Sequence, residues 1–546
     1  GPVARTVIWP GCSAATAARN SAASVGGLCR AASPCSTGIS ERPISSSSQR
    51  VCPVDIAEDP AVYDLIVCGG GFAGLCTALA AKRKGLKILV IQDRGVVGGC
   101  GSSEIRVWVG GQVHLPPYPA LGNLAAALSP IDGSPGQTKD AARFEDDRKR
   151  LLFSVGHDLL LHECVIAVET DPADPKRIAA VVTRAVRTGR ETRRRAALFV
   201  DCTGDALLAR LTGCETMYGR EARAVFNESL APEVSDRMVM GHSTLWETTR
   251  RDHEVPFPDI DWGIPFDEEN ALARFNCCWD WETGQYRDQV LEIEHIRDYG
   301  LMTCYANWSF LKNRSRRKDE WRNLELEWIS PIGGKRESYR VCGDVILTQN
   351  DLLEHRPYED GTASISWSID IHYPDPENRR RFGETFQSCA YHLGIGQPYP
   401  VPYRCLYARD MRNLFLGGRC LSASQVAFSA IRVMRTLGML GEVIGLAAAI
   451  CRHHACDPRE VYTEHLDELK EAMRQGVSLP LPCAYASGDA EAYHFMRPVG
   501  RCGNAAEDCW VRFNRDGAPA GPVPPELGSA ITDLGLLHRN GRRYGE

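Results

Sequence analysis

Among the 22 cysteines of this 546-residue chain there is no C-x-x-C pair and no run of the spacing that holds an iron–sulfur cluster. They are spread over the whole length, with Cys277 and Cys278 the only adjacent pair, which excludes the dense framework of a small disulfide-stapled domain. Buried, reduced thiols in an intracellular protein fit better. No clean apolar stretch of about 20 residues occurs. Residues 63–81 carry Asp64 and three consecutive glycines, and the stretch 437–451 is short and holds Glu442. No membrane span is expected. A basic field is also missing: 63 Lys and Arg face 69 Asp and Glu, a net charge of −6. Nucleic acid would therefore find no electrostatic footprint. No metal-ligand spacing stands out, and no metal is expected.

Residues 1–50 lack apolar periodicity and almost lack acids: ten Ser, five Arg, no Lys and the single acid Glu41. No apolar block of secretory-signal length is present there. The composition suits a disordered extension, an organelle transit peptide or an error of gene prediction. The compartment stays open, with a soluble intracellular protein favoured. The whole chain is 44% apolar and 24% charged, an ordinary globular composition.

Order begins near residue 61. Val62–Cys68 is a short apolar run suited to a buried parallel strand, followed by Gly69-Gly70-Gly71-Phe72-Ala73-Gly74, a helical stretch to Lys84, and a second buried run from Lys87 to Gln92. A G-x-G-x-x-G between two buried strands, opening a helix, is the dinucleotide fingerprint. Gly69 allows the tight turn, Gly71 the approach of a pyrophosphate, and Gly74 close helix–strand packing. The helix start supplies free N–H groups and a positive dipole end to the phosphates. Gln92 stands where an acid usually binds the ribose, with Asp93 beside it; an amide can still hydrogen-bond a hydroxyl, without charge assistance. Gly98-Gly99 lies a few residues past the second strand. Residues 414–441 read as a returning strand, a Gly-Gly turn, a polar loop and a helix opening. That close is usual in an FAD domain and unnecessary in a nicotinamide domain, and no second G-x-G-x-x-G is found.

The chain resembles the FAD-dependent oxidoreductase family called the FAD-oxidored group, related to the flavin subunit of heterodisulfide reductases. The similarity runs from about residue 62 to about 478. It rests on IQDRGVVGGCGSSEIRVWVGG (91–111), HLPPYP (114–119), DCTGDALLARLTGCE (201–215), GREARAVFNESLAP (219–232), WDWETG (279–284), GGKRESYRVCGDVILTQND (333–351), WSIDIH (367–372), VPYRCLYA (401–408) and residues 414–445. Cys100 stands where the family commonly has Asn, and the cluster-binding cysteine runs of heterodisulfide reductases are missing, so that activity is not carried over.

The resemblance implies an α/β protein: a discontinuous, glutathione-reductase-like Rossmann FAD domain with an inserted α+β substrate domain. The expected boundaries are an extension over 1–60, the FAD domain over 61–215 and 401–455, the inserted domain over 216–400, and a helix with an irregular tail over 456–546. Gly69, Gly71 and Gly74 would hold the pyrophosphate of non-covalently bound FAD and Gln92 the adenosine ribose. Gly98, Gly99, Ser102 and Ser103 would lie along the pyrophosphate, ribitol or flavin. Val165, in a crossover of strands at 164–169 and 178–183, would meet the adenine. Asp201–Asp205 would be the family's strand end, with Gly204 in its turn. Gly418, Arg419 and a turn at Gly438 would approach the ribitol and ring.

For the chemistry, Arg432 is the first candidate at the flavin edge and Arg106 the second. Strand alternation would put Arg336, Ser338 and Arg340 on one face, an Arg pair able to bind a carboxylate or the charge of reduced flavin, or else part of a buried salt-bridge network. His372 is a candidate general base or a satisfied structural residue. Trp246, Trp279, Trp281, Trp308, Trp321, Trp328 and Trp367 would line a polar organic substrate or serve as core aromatics. Cys100 with Cys420 would be a redox thiol pair if both loops reached the ring. The function expected is hydride transfer between a small polar organic substrate and FAD. The alternatives are an NAD(P)H- or carrier-linked flavin reductase, or a flavin-binding subunit without turnover. The electron donor or acceptor is unknown, and a homodimer is left open.

Overall fold

Leu65–Cys68 is uncharged and buried at every position, as a strand covered on both faces must be. These residues close β1 (Ala57–Cys68) in the computed structural model, which describes residues 56–129, 153, 156–274 and 279–477 and the backbone of two strands near the C-terminus. α1 (Phe72–Arg83) follows the glycine loop and leads to β2 (Ile88–Gln92), parallel to β1 with Leu65 opposite Ile88. Then come β3 (Leu159–Leu161), β4 (Glu163–Thr170), β5 (Ile178–Ala185) and β6 (Glu191–Asp201). The sheet order is β3-β2-β1-β6-β5-β4. β6 serves two neighbours on one side: Glu191–Arg195 pair antiparallel with β5, and Phe199–Asp201 pair in parallel with the returning strand β7 (Leu414–Leu416). β4 and β5 are the antiparallel crossover expected from the sequence.

Short strands and one long helix, α2 (Ile293–Asn313), fill the middle of the chain. His242–Ser243 pairs with both Glu282–Thr283 and Gly334–Lys335, and Trp246–Arg250 pairs with Leu324–Ile329. Trp246, Trp281, Trp308 and Trp321 are buried together in a separate apolar cluster there, so these four are core.

After β7, α3 (Gln425–Ile431) starts at Ser424, whose hydroxyl accepts from Ala427 N, an N-cap. α4 (Met434–His454) follows almost at once. Gly438 is therefore not a turn, as the sequence suggested, but lies inside α4, where a Cβ would come 2.9 Å from the Phe72 ring. α4 is also longer than the 437–451 stretch. Its 21 residues are apolar enough by length and composition to cross a membrane, and 83% of that window is buried in the fold, as a core helix requires.

The expected helix after Asp457 is two, Pro458–Glu464 and Leu466–Gln475, the first opened by a capping box of Asp457 and Glu460. Phe495–Arg501 and Asp508–Phe513 pair antiparallel where an irregular tail was expected. The extension over 1–50 lies outside the described residues.

Glu442 and Glu337 are among the carboxyl groups buried without a cation in contact. Glu442 accepts from Gly122 N at 2.9 Å and Val477 N at 3.1 Å, so one side chain of α4 ties two distant segments to the helix. Glu337 is fully buried and meets Gln425 Nε2 at 3.4 Å. Burial pushes each up to about 7 from an ordinary 4.5. Between those values the native state holds protons that the unfolded chain has released, so stability falls as pH rises. The loss is on the order of 3 kcal/mol per group. The thermal midpoint should fall from pH 5 to pH 7, and Glu337→Gln should make that slope shallower. A slope identical in the variant would show that Glu337 does not carry the effect.

Candidate functional site

The three glycines of the loop between β1 and α1 differ in what they avoid. Gly69 has φ +109°, and a Cβ there would lie 2.2 Å from Cys202 O. A Cβ at Gly74 would lie 2.0 Å from Gly69 O. Gly71 faces open space, with nothing within 4 Å of its would-be Cβ. That space is a cavity of about 540 Å³, within the size range of ligand sites.

Most of the residues expected at the cofactor border this cavity. Gly69, Gly71, Gly74 and Gln92 line one end with Gly98 and Gly99; Val165, Gly204, Gly418, Arg419 and Arg432 complete the wall. Gln92 is engaged differently from expectation. Its Oε1 accepts from Gly70 N at 2.7 Å and its Nε2 donates to Val96 O at 3.2 Å, so the amide pins the glycine loop. The exposed Asp93 next to it also borders the cavity.

Four expected residues do not border it. Ser102 is buried in a turn, its carbonyl accepting from Ile105 N and Arg106 N, and Ser103 follows in that turn away from the cavity. Gly438 serves helix packing. Arg106 has φ +61° and turns away: its Nη1 meets Glu247 Oε2 at 3.0 Å, and its guanidinium lies 3.9 Å from the centre of the Trp328 ring. Nor do Cys100 and Cys420 form a facing pair on the cavity. Cys100 lines it, while the buried Cys420 thiol lies 3.6 Å from Asp201 Oδ1.

The sequence reading missed Lys335. Its ammonium is buried at the cavity wall, 2.7 and 2.9 Å from the two carboxylate oxygens of Asp205 and 2.8 Å from Gln289 O. Burial lowers its pKa, against the pull of Asp205. It sits in a strand of two residues, too short for an alternation to read. The first turn of α2, with Ile293 and Arg297, also borders the cavity, and no motif signals it. Arg419 crosses the wall with Nη2 3.5 Å from Gly204 O and Nη1 3.9 Å from Cys100 Sγ. Gly204 has φ +78°, a left-handed conformation that favours glycine.

A second chamber of about 330 Å³ shares Cys100, Arg432 and Met434 with the first. Trp108, Trp279 and Trp367 stand in its wall, Trp108 and Trp367 edge to face at 6.4 Å. Of the Trp candidates, Trp279 and Trp367 reach this chamber. Trp108 joins them unpredicted.

The polar wall is a chain of charges. Arg336 Nη2 lies 2.8 Å from Glu282 Oε1 and also donates to Ser243 Oγ. Arg432 Nη2 donates to Asp370 Oδ2 at 2.9 Å. His372 stands between, its Nδ1 against Glu282 Oε1 and its Nε2 3.1 Å from Asp370 Oδ1. Burial would raise the Asp370 pKa, but His372 and Arg432 hold it well below the ordinary carboxylate range. Burial would likewise raise the Glu282 pKa, but Arg336 and His372 beside it hold it below the usual carboxylate value. Both His372 nitrogens face carboxylate oxygens, which only accept. The ring is thus bonded to Glu282 through Nδ1 and borders the chamber with Nε2 beside Asp370. Arg336 and Arg340 do not share a face either, because no strand runs through 336–339. Arg340 is fully buried against Glu221 Oε1 at 2.6 Å.

The family model described as FAD dependent oxidoreductase matches residues 64–473. Among solved structures, an oxidized steroid monooxygenase bound to NADP matches at 18% identity over 26% of each chain, TM-score 0.19, so this chain spans about a quarter of that protein. A geranylgeranyl bacteriochlorophyll reductase-like protein from Thermoplasma acidophilum is 11% identical over 77% of this chain and 84% of its own, TM-score 0.32. The myxobacterial chondrochloren halogenase, a variant of FAD-dependent halogenases, is 14% identical over 76% and 80%, TM-score 0.33.

The residues present fit FAD. Gly71 leaves the cradle open, and the Nε atoms of Arg419 and Arg432 are buried at the cavity without a partner. The glycines then separate by experiment. Gly71→Val should leave the thermal midpoint within a few degrees and weaken FAD retention at least tenfold, since its side chain enters only the cradle. Gly74→Ala should destabilise the fold by roughly 1–3 kcal/mol, because the methyl has nowhere to go. Equal FAD retention by Gly71→Val and the parent would remove the cradle.

Proposed function

This chain belongs to the FAD dependent oxidoreductase family, and from that premise we propose that it transfers a hydride between FAD in the larger cavity and a small polar organic substrate in the adjoining chamber. The observation that carries the reading is the shared wall: Cys100, Arg432 and Met434 border both spaces. A substrate in the smaller chamber would meet the cofactor across that wall and nowhere else among the described residues.

When bound, FAD supplies the two-electron chemistry; the chain supplies binding, orientation and charge. The loop from Gly69 to Gly74, with the start of α1, holds phosphate on backbone N–H groups. Gly98, Gly99, Gly204 and Gly418 line the same cavity, and Arg419 and Lys335 place positive charge along it. Arg432 holds a cation where the cavities meet, which favours negative charge developing at the cofactor's edge. Trp108, Trp279 and Trp367 present apolar faces to the substrate and reduce its contact with water. His372, locked between two carboxylates, sets the position of Asp370 and through it of Arg432.

The first test is the absorption spectrum of the purified protein, followed by acid precipitation. A yellow supernatant matching FAD is the expected result and establishes non-covalent binding. Yellow retained in the pellet would place a covalent link at the cavity, with Cys100 the thiol that lines it. A protein that stays colourless after FAD is added would end the reading.

A further inference from the structure

Outside both cavities, three side chains meet where α4 ends. The helix stops at His454. Ala455 then takes φ +52°, and its N–H and that of Cys456 both return to Cys451 O. This closing turn fixes the last helical residue. The chain comes back through Pro458–Glu464, and His465 stands at the start of the helix Leu466–Gln475, its N–H on Val461 O at 3.2 Å. Leu469 and Met473 bury one face of that helix, and Val477 N just past its end reaches Glu442 of α4. The helix is thus held along α4 without help from its outer face. Glu468 lies three residues on from His465, on the same face.

His454 Nε2 lies 2.7 Å from Glu468 Oε2. The His454 and His465 rings stack with centroids 3.9 Å apart and planes 12° from parallel. One nitrogen of each ring and a Glu468 oxygen all lie within 4.8 Å of one another. Ligands at tetrahedral zinc distances stand about 3.3 Å apart, so small rotations of these accessible side chains close the set. No Lys or Arg among the described residues pairs with Glu468; Arg452 is taken by Asp64, and Lys470 lies 3.8 Å from Asp467. The carbonyl end of α4 adds negative potential at His454. No motif spacing signals the trio, because a turn and a short helix separate His454 from the other two.

We propose that His454, His465 and Glu468 bind a first-row divalent cation of the zinc type, fastening the end of α4 to the helix Leu466–Gln475. Two imidazoles and a carboxylate are a zinc ligand set that leaves a position for water. Imidazole nitrogen disfavours Mg2+ and Ca2+, which take oxygen ligands. The cation takes the place of the proton between His454 and Glu468, and it recruits His465, whose ring nitrogens have no hydrogen-bond partner among the described residues. An exposed ion pair alone holds two helices weakly; a shared metal holds them through three side chains.

The test is a Zn2+ titration by calorimetry on the full chain after EDTA treatment and dialysis, with parent, His465→Ala, Glu468→Gln and His453→Ala side by side. His453 stands edge-on to His454 at 4.6 Å and is not one of the three, so it is the control. Zn2+ taken up by cysteines is common to all four proteins and cancels in the comparison. The parent and His453→Ala should bind one equivalent more than His465→Ala. Glu468→Gln, which keeps the shape of the side chain, should bind that equivalent at least tenfold more weakly. Zn2+ should raise the thermal midpoint of the parent more than that of His465→Ala, because it binds the folded arrangement. Equal uptake by parent, His465→Ala and Glu468→Gln would overturn the proposal. So would loss of the equivalent in His453→Ala, or Mg2+ binding as tightly as Zn2+.

Discussion

α4 can lie against α1 because its glycines bring no side chain to the contact, Gly438 meeting the Phe72 ring and Gly441 and Gly445 the backbone. A Cβ at Gly441 would stand 2.4 Å from Ala73 O, and one at Gly445 2.5 Å from both Ala80 Cβ and Thr77 O. Backbone-to-backbone approach of this kind joins the first and last parts of a discontinuous domain, and the site depends on it. Arg432 and Met434 reach the cavity because the start of α4 is held beside the glycine loop. Arg435 N donates to Gly110 O, fixing the segment that carries Trp108, and Glu442 ties Gly122 and Val477 to the same helix. A side chain at Gly441 would push α4 outward, and the cavity wall, the aromatic chamber and the C-terminal helices would move with it.

The charges divide along the wall the two cavities share. On the cofactor side Lys335 is paired with Asp205, and Arg419 lines the same wall. On the substrate side Glu282 is paired with Arg336 and Asp370 with Arg432. Burial makes these pairings worth keeping, because removing one partner would strand the other in a low-dielectric interior. The network around His372 therefore holds Asp370, and with it Arg432, in place.

The fingerprint was legible because three glycines in fixed spacing answer three separate steric demands, and the strands on either side are uncharged and buried on both faces. The returning strand and helix after residue 414 were legible for the same reason. What failed were inferences from adjacency. Ser102 and Ser103 follow Gly98-Gly99, but a turn that bonds back to the Ser102 carbonyl carries them off the cavity. Arg106 sits in the same segment, and a positive φ sends it to Glu247 and Trp328. Gly438 has the look of a turn glycine, yet its helix partners lie more than three hundred residues away in sequence. Lys335 and Arg336 stand side by side and enter different cavities, because their strand ends after one of them. Such outcomes depend on long-range packing that a linear pattern does not carry.

Position 92 shows how a departure from a motif can come from the fold itself. An acid at this strand end would accept from Gly70 N as Gln92 does, but it could not donate to Val96 O, and its charge would face that carbonyl. The amide satisfies a donor on one side and an acceptor on the other with a single planar group, and so holds the loop that carries Gly71 against the segment that leads to Gly98. Gly98 N donates in turn to Gly70 O at 2.8 Å, closing the link from the other end. The two glycine stretches that border the cavity are thus one hydrogen-bonded unit, and a neutral residue at 92 is what that unit requires.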